Sequence, residues 1–344
     1  MRPLPLILLS SIATIGVLNS AAQLPGAAQS QQLQSVEQRR AMEDRAASIT
    51  VSNAPSLFDG EEADVGPQSV LRMVRKTPIL EAFVDAQYFY TDNMFLADES
   101  KHKADVLVST IQGALSAPGL AILGGDFVPR VGYRHQWFDY GLADRSTITV
   151  YDFNTGLFRE ARRNEFDFNA QTFFTDATWR HGNWVAGLAF DYRRLLDTDG
   201  YQQFYRELTP QWSLKRIVPL CSRSVLTLGY VGDYRATDTE NPPPQFNSSF
   251  NDRTDHSLFA DVTYSICKYA MVQASYRFQH AHFTDNESRR DHLNSFGLAL
   301  YCPLNKNAGL RVFASYEIFA TNGRLASDYN RFDAGLGLNL TLRF

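Results

Sequence analysis

The sequence predicts an all-β protein. The expected fold is a transmembrane antiparallel up-and-down β-barrel of about twelve strands, or about fourteen if one further hairpin joins, behind a short N-terminal periplasmic segment. Three observations predict it. Apolar and polar residues alternate with period two in segment after segment from Ile79 onward. The connections between these segments alternate between short and long, and an export signal opens the chain.

The chain has 344 residues, with 44% hydrophobic, 13% aromatic and 20% charged, and a formal net charge of -4. That length fits one large all-β domain or two smaller ones. The charge balance excludes the basic footprint of a nucleic-acid binder. Beyond the N-terminus no apolar run reaches the roughly 18 residues of a spanning helix. A barrel escapes that test, because half of its strand residues face a polar lumen.

Residues 1–22 read as a secretory signal: Arg2, an apolar core from Leu4 to Leu18, and small residues Ser20-Ala21-Ala22 for cleavage before Gln23. Residues 23–78 read as a periplasmic segment. Gln31 to Ala47 could form a weak helix, but Leu33, Val36 and Met42 keep no clean stripe. Ala54 to Pro78 is rich in turn residues, with an apolar run at Val70 to Val74. This segment either plugs or caps the barrel or forms a disordered leader, and its composition favours the leader.

Residues 79–344 form the predicted barrel. In the first strand Leu80, Ala82, Val84, Ala86, Tyr88 and Tyr90 alternate with Glu81, Phe83, Asp85, Gln87 and Phe89. The second covers Ala104 to Leu115. The third, about Val128 to Tyr140, sets Val131, Tyr133 and Trp137 opposite Arg130, Arg134 and Gln136. The fourth, Glu165 to Thr178, sets Phe166, Phe168 and Phe174 against Asp167, Asn169 and Gln171. The fifth sets Trp184, Leu188, Phe190 and Tyr192 against Asp191 and Arg193. The sixth runs from about Phe204 to Lys215. The seventh sets Leu226, Leu228, Tyr230 and Tyr234 against Thr227, Asp233 and Arg235, and the eighth sets Leu258, Val262 and Tyr264 against Asp261 and Thr263. The ninth sets Val272, Tyr276 and Phe278 against Gln273, Arg277 and Gln279. The tenth is about His292 to Cys302, and the eleventh sets Val312, Tyr316 and Ile318 against Arg311 and Glu317. Arg145 to Arg162 could add a hairpin around Asn154-Thr155-Gly156, which raises the count to about fourteen.

Short connections fall at Arg180–Asn183, Cys267–Ala270 and Pro303–Ala308. Longer ones fall at Asp92–Lys103, Gly141–Asn164, Ala236–Thr254, Thr284–Asp291 and Thr321–Arg331. Short periplasmic turns and long outer loops are the outer-membrane pattern, and it places both termini in the periplasm. Alternation alone does not say which face points out. Long strands, Tyr and Trp towards strand ends, loop parity and the export signal together favour apolar outside and polar inside.

The last strand alternates Phe332, Ala334, Leu336, Leu338, Leu340, Leu342 and Phe344 with Asp333, Gly335, Gly337, Asn339, Thr341 and Arg343. Here the chain resembles bacterial outer-membrane β-barrels, which typically end in such a strand with a terminal Phe. The resemblance implies that Phe344 is an assembly signal read by the barrel-assembly machinery. Asp85-Ala86-Gln87-Tyr88-Phe89-Tyr90-Thr91-Asp92-Asn93-Met94-Phe95 is similar to the opening strand of the β-barrel porin-like outer-membrane protein families of Gram-negative bacteria. That resemblance covers about 79–344. It implies a location in the cell outer membrane, among outer-membrane lipid and lipopolysaccharide, and supplies no catalytic residues.

The expected function is a porin-like channel for passive diffusion of small hydrophilic solutes. Arg130, Arg134, Asp167, Asp191, Arg193, Asp233, Arg235, Asp261, Arg277, Arg311 and Glu317 are its expected pore-lining residues. Their mixed signs predict weak ion selectivity. Internal salt bridges that close the lumen are the alternative, which makes a non-conducting structural or surface-interaction barrel. About eight strands leave room only for side chains and about sixteen leave a channel, so twelve fits either. A membrane-embedded hydrolase is the remaining reading. His135 lies near a rim, but no companion Ser/Asn arrangement accompanies it. His280-x-His282 lies on one face of a strand and suggests a metal site only if a third ligand joins. No cofactor is expected. Cys221, Cys267 and Cys302 fall at strand ends on one side of the barrel. They give one staple, Cys221–Cys267 or Cys267–Cys302, or three free thiols.

Overall fold

The computed structural model describes residues 27–52, 78–98, 101–152, 157–240, 242, 247–267, 269–285, 289–323 and 326–344. The expected signal segment, Val70 to Val74 and the Asn154-Thr155-Gly156 turn lie outside them. Helix α1 (Ala27–Ser52) comes first. It is followed by β1 (Leu80–Thr91), β2 (Ala104–Ser116), β3 (Leu120–Ile122), β4 (Gly125–Tyr140), β5 (Thr147–Asp152), β6 (Leu157–Arg162) and β7 (Phe168–His181). Then come β8 (Trp184–Asp197), β9 (Gln203–Cys221), β10 (Ser224–Thr239), β11 (Arg253–Cys267), β12 (Ala270–Phe283), β13 (Arg290–Pro303), β14 (Ala308–Thr321) and β15 (Tyr329–Arg343).

Thirteen strands share one antiparallel sheet, and the β2–β4 ladder closes it into a ring. β3 is a three-residue appendage on the end of β4, so twelve strands make the barrel. Ile122 pairs with Gly125 around Leu123 (φ 50) and Gly124 (φ 72). Two left-handed residues at a two-residue loop are the tight hairpin turn that glycine favours. β5 and β6 pair only with each other, as a separate two-stranded sheet. The hairpin that could have raised the count to fourteen therefore stays out of the ring.

The strand faces follow the alternation. In β1, Phe83, Asp85, Gln87, Phe89 and Thr91 are buried, while Val84, Tyr88 and Tyr90 are exposed. In β15, Arg331 and Asp333 are buried, and Phe332, Leu336, Leu338 and Leu340 are exposed. Leu188 on β8, Leu258 on β11, Leu298 on β13 and Val312 on β14 continue this outward apolar surface round the ring. An exposed apolar belt of that extent suits hydrocarbon rather than water. Closure satisfies every ladder internally, as hydrocarbon demands.

The sequence assigns the faces of the fourth strand the wrong way round. In β7, Phe168, Thr172 and Phe174 are buried, and Phe173 and Thr175 are exposed. The inward phase therefore falls on the aromatic residues. Phe174 stands opposite Gly132 of β4, and a Cβ on Gly132 would meet the Phe174 ring at 2.4 Å. The same device recurs on β10 and β11, where Gly229 faces Phe259. An inward ring laid over a cross-strand glycine uses the space that the missing side chain frees.

Candidate functional site: the helix-filled lumen

Residues 28–40 of α1 lie in the lumen, the place of a plug rather than of a free leader. From Ala28 to Arg40 every side chain of α1 is buried or half-buried. The helix has no apolar stripe because it has no single apolar neighbour. It lies inside a tube whose wall is mostly polar, so polar residues are matched on all sides. Leu33 and Val36 are the exceptions, and both meet an inward apolar collar that includes Phe89, Val106, Val108, Phe138, Phe168 and Tyr205. Ala28 clusters with Leu96, Leu293, Phe319 and Tyr329, at the rim of the long connections. Arg40 lies over the Phe83 ring at 3.8 Å, towards the rim of the short ones. The described start of α1 thus lies at the rim of the long connections. Phe344, at the opposite rim, is exposed, and its N–H donates to the Leu80 carbonyl at 2.9 Å.

The helix is held by charge. Glu37 accepts from Arg193 Nη2 of β8 at 2.6 Å and from Arg134 Nη1 of β4. Burial pushes the Glu37 carboxyl up, but Arg193 and then Arg134 outweigh it and hold the group below the ordinary carboxylate range. Arg39 Nη1 pairs with Asp333 of β15 at 3.0 Å, and its guanidinium lies 4.6 Å from the Phe89 ring centre and 4.9 Å from that of Phe313. Ser30 donates to Glu207 at 3.2 Å, Ser35 to Glu317 at 3.0 Å, and Arg40 to Gln112 at 3.0 Å.

The wall also pairs its own charges. Arg311 Nη2 lies 2.8 Å from Asp85 Oδ1, both fully buried. Arg235 reaches Asp233 and Asp255, each at 2.9 Å, and Arg253 reaches Asp255 at 3.2 Å. Arg331 holds Glu317 at 2.8 Å, and Arg193 also meets Glu207. Arg130, partly exposed, pairs with Asp176 at 2.9 Å. Arg277 donates to Ser257 at 2.8 Å. Asp191 is half-buried and Asp261 buried, both on inward phases of their strands.

Ten of the eleven residues expected to line a pore therefore face the lumen. Asp167 does not. It precedes β7 at the rim, where its carboxylate accepts from the Tyr140 N–H at 2.7 Å. The reversed phase of that strand is the reason. Sequence reasoning missed Glu37, Arg39 and Arg40 altogether, and did not single out Glu207 or Asp255. Glu207 lies within the sixth strand as read from the sequence, and extending the eighth strand by three residues reaches Asp255.

The three cysteines are free, with Cys221 and Cys267 exposed. Of the two alternatives, a single staple and three free thiols, the structure has the free thiols. The His135 ring meets the Tyr133 hydroxyl at 3.1 Å and lies tilted 4.2 Å from the Trp137 ring, on the outward face between Ile111 and Gln171. Pockets beside the helix are small. One touches Arg39, Arg311 and Glu317, another touches Gln34, Arg253 and Asp291, and each has a volume of about 30 Å³.

No family model matches the sequence, and no curated protein matches it. Solved structures are similar in fold. An outer-membrane channel from Pseudomonas putida F1 shares 10% identity at a TM-score of 0.48, covering 82% of this chain and 100% of that one. A bacterial polysaccharide outer membrane secretin shares 10% at 0.43, covering 78% and 99%. The beta domain of the Bordetella autotransporter Brka shares 14% at 0.41, covering 77% and 100%. At these identities the likeness concerns barrel architecture alone.

Proposed function

We propose that this protein is an outer-membrane barrel that admits small hydrophilic solutes by passive diffusion when α1 leaves the lumen, and is closed while α1 is seated. The supporting observation is the division of the charges. Pairs such as Arg311–Asp85 and Arg235–Asp255 lie wholly within the wall and do not need the helix. The helix is held mainly by hydrogen bonds to charged groups, worth about 1.5–3 kcal/mol each against water. A wall that keeps part of its ion pairs to itself and a plug held by polar and charged contacts make a lumen that can open. Outer-membrane lipid, lipopolysaccharide and the barrel-assembly machinery, acting on Phe344, are the partners that go with this reading.

A permanently closed structural barrel is the second reading, favoured by the burial or half-burial of every α1 side chain from Ala28 to Arg40. Planar-bilayer conductance separates the two. The channel reading expects rare openings in the native chain and frequent ones in the full-length Glu37→Ala/Arg39→Ala variant. A variant that inserts, shows heat-modifiable mobility and never conducts removes the channel and leaves the structural barrel.

A further inference from the structure

We propose that His280 and His292 form a two-imidazole site for a divalent transition-metal ion on the outer wall of the barrel. This goes beyond the proposed transport role and does not depend on the lumen. His280 of β12 and His292 of β13 are direct cross-strand partners on the outward face. Their rings lie 4.8 Å apart at 30°, with the two Nδ1 atoms separated by 3.4 Å. Metal–imidazole bonds of about 2.0–2.1 Å at a tetrahedral angle place two nitrogens about 3.4 Å apart. The strands already hold that spacing, so chelation needs only rotation of the rings.

The surroundings fit an ion that is held but not caged. His256 of β11 opposes His280 from its other side, and its Nδ1 is engaged by the Tyr230 hydroxyl at 2.7 Å. Ala320 opposes His292 from β14. Among the described residues no three His, Cys, Asp or Glu side chains converge on one point. His280 lies three residues from the loop end of β12 and His292 two from that of β13, at the aqueous rim, so the remaining coordination positions fall to water and the site suits Zn²⁺, Ni²⁺ or Cu²⁺ as an exchangeable ligand. Arg290 lies two residues from His292 and opposite His282, and its charge limits the affinity.

The spacing His280-x-His282 directs attention to the wrong neighbour. Residues two apart on a strand are separated by about 6.8 Å, whereas direct cross-strand partners bring their Cβ atoms within about 4.5–5.5 Å. Only the register of β12 against β13 shows the pair that meets.

Titration of the detergent-folded full chain with Zn²⁺, Ni²⁺ and Cu²⁺ by calorimetry tests this, with heat-modifiable mobility to show that each variant is folded. One ion per chain is expected. His280→Ala and His292→Ala should each weaken binding by at least the roughly tenfold that changes around a metal site typically cost. His256→Ala should change it far less. Binding that survives in the His280→Ala/His292→Ala double variant overturns the proposal. So does a native chain that binds no better than that double variant, which reduces the pair to an imidazole hydrogen bond.

Discussion

Glu37 of the lumenal helix lies 2.6 Å from Arg193 on the barrel wall, and its other oxygen meets Arg134 two strands away in the ring. One carboxylate thereby ties the helix to β8 and β4 at once. Replacing it by Gln keeps the shape and removes the charge that both guanidiniums face. The side chain is one-fifth exposed, so the loss should be about 1–3 kcal/mol rather than that of a sealed pair. Limited proteolysis of α1 in folded barrels should speed up in Glu37→Gln, with the strands left intact.

The same group sets a pH dependence. Its carboxyl is held below the ordinary range in the folded barrel. Its contribution is therefore fully present above the free carboxylate value of about 4.3 and is lost as pH falls through the lower folded value. Helix protection should be flat from neutral pH to about 4.5 and decline only below that. A proteolysis or conductance profile that changes between pH 7 and 5 would assign the control to another group.

Arg311 and Asp85 form the most deeply buried ion pair in the wall, at 1% and 0% side-chain exposure. Asp85→Ala leaves the guanidinium buried without this carboxylate, while Gln87 loses the acceptor that it reaches at 2.8 Å. The expected destabilisation is about 3–5 kcal/mol, read as a lower urea midpoint for loss of the heat-modifiable band.

Gly229 has no room for a side chain, since a Cβ there would meet the Phe259 ring at 2.2 Å. Gly229→Val should destabilise the barrel by about 1–3 kcal/mol through overpacking. Adding Phe259→Ala should recover part of that loss. An additive double variant would show that the ring can move aside.

Much of the barrel was legible because each strand carries its own record. Leu336, Leu338 and Leu340 against Gly335, Gly337 and Asn339 can be read without knowing any neighbour. β7 was misread because Phe174 is placed by a partner, Gly132, on another strand, and the alternation within β7 does not carry that information. The plug was illegible for a related reason. Amphipathicity records a helix with one wet and one dry side, and α1 has charged partners from β4, β8 and β15 all round it. Glu37, Arg39 and Arg40 carry no signal of their own until the barrel supplies Arg193, Asp333 and Gln112.

The account rests on the apolar belt facing lipid. Leu188, 65% exposed on β8, tests it most directly when changed to Arg. A lipid-facing site near the middle of the bilayer should lose about 2–4 kcal/mol of folding stability in vesicles. The unaltered chain should fold to a monodisperse, heat-modifiable species only when detergent or lipid is present. A chain that stays monodisperse and folded in plain buffer, indifferent to Leu188→Arg, would contradict the account.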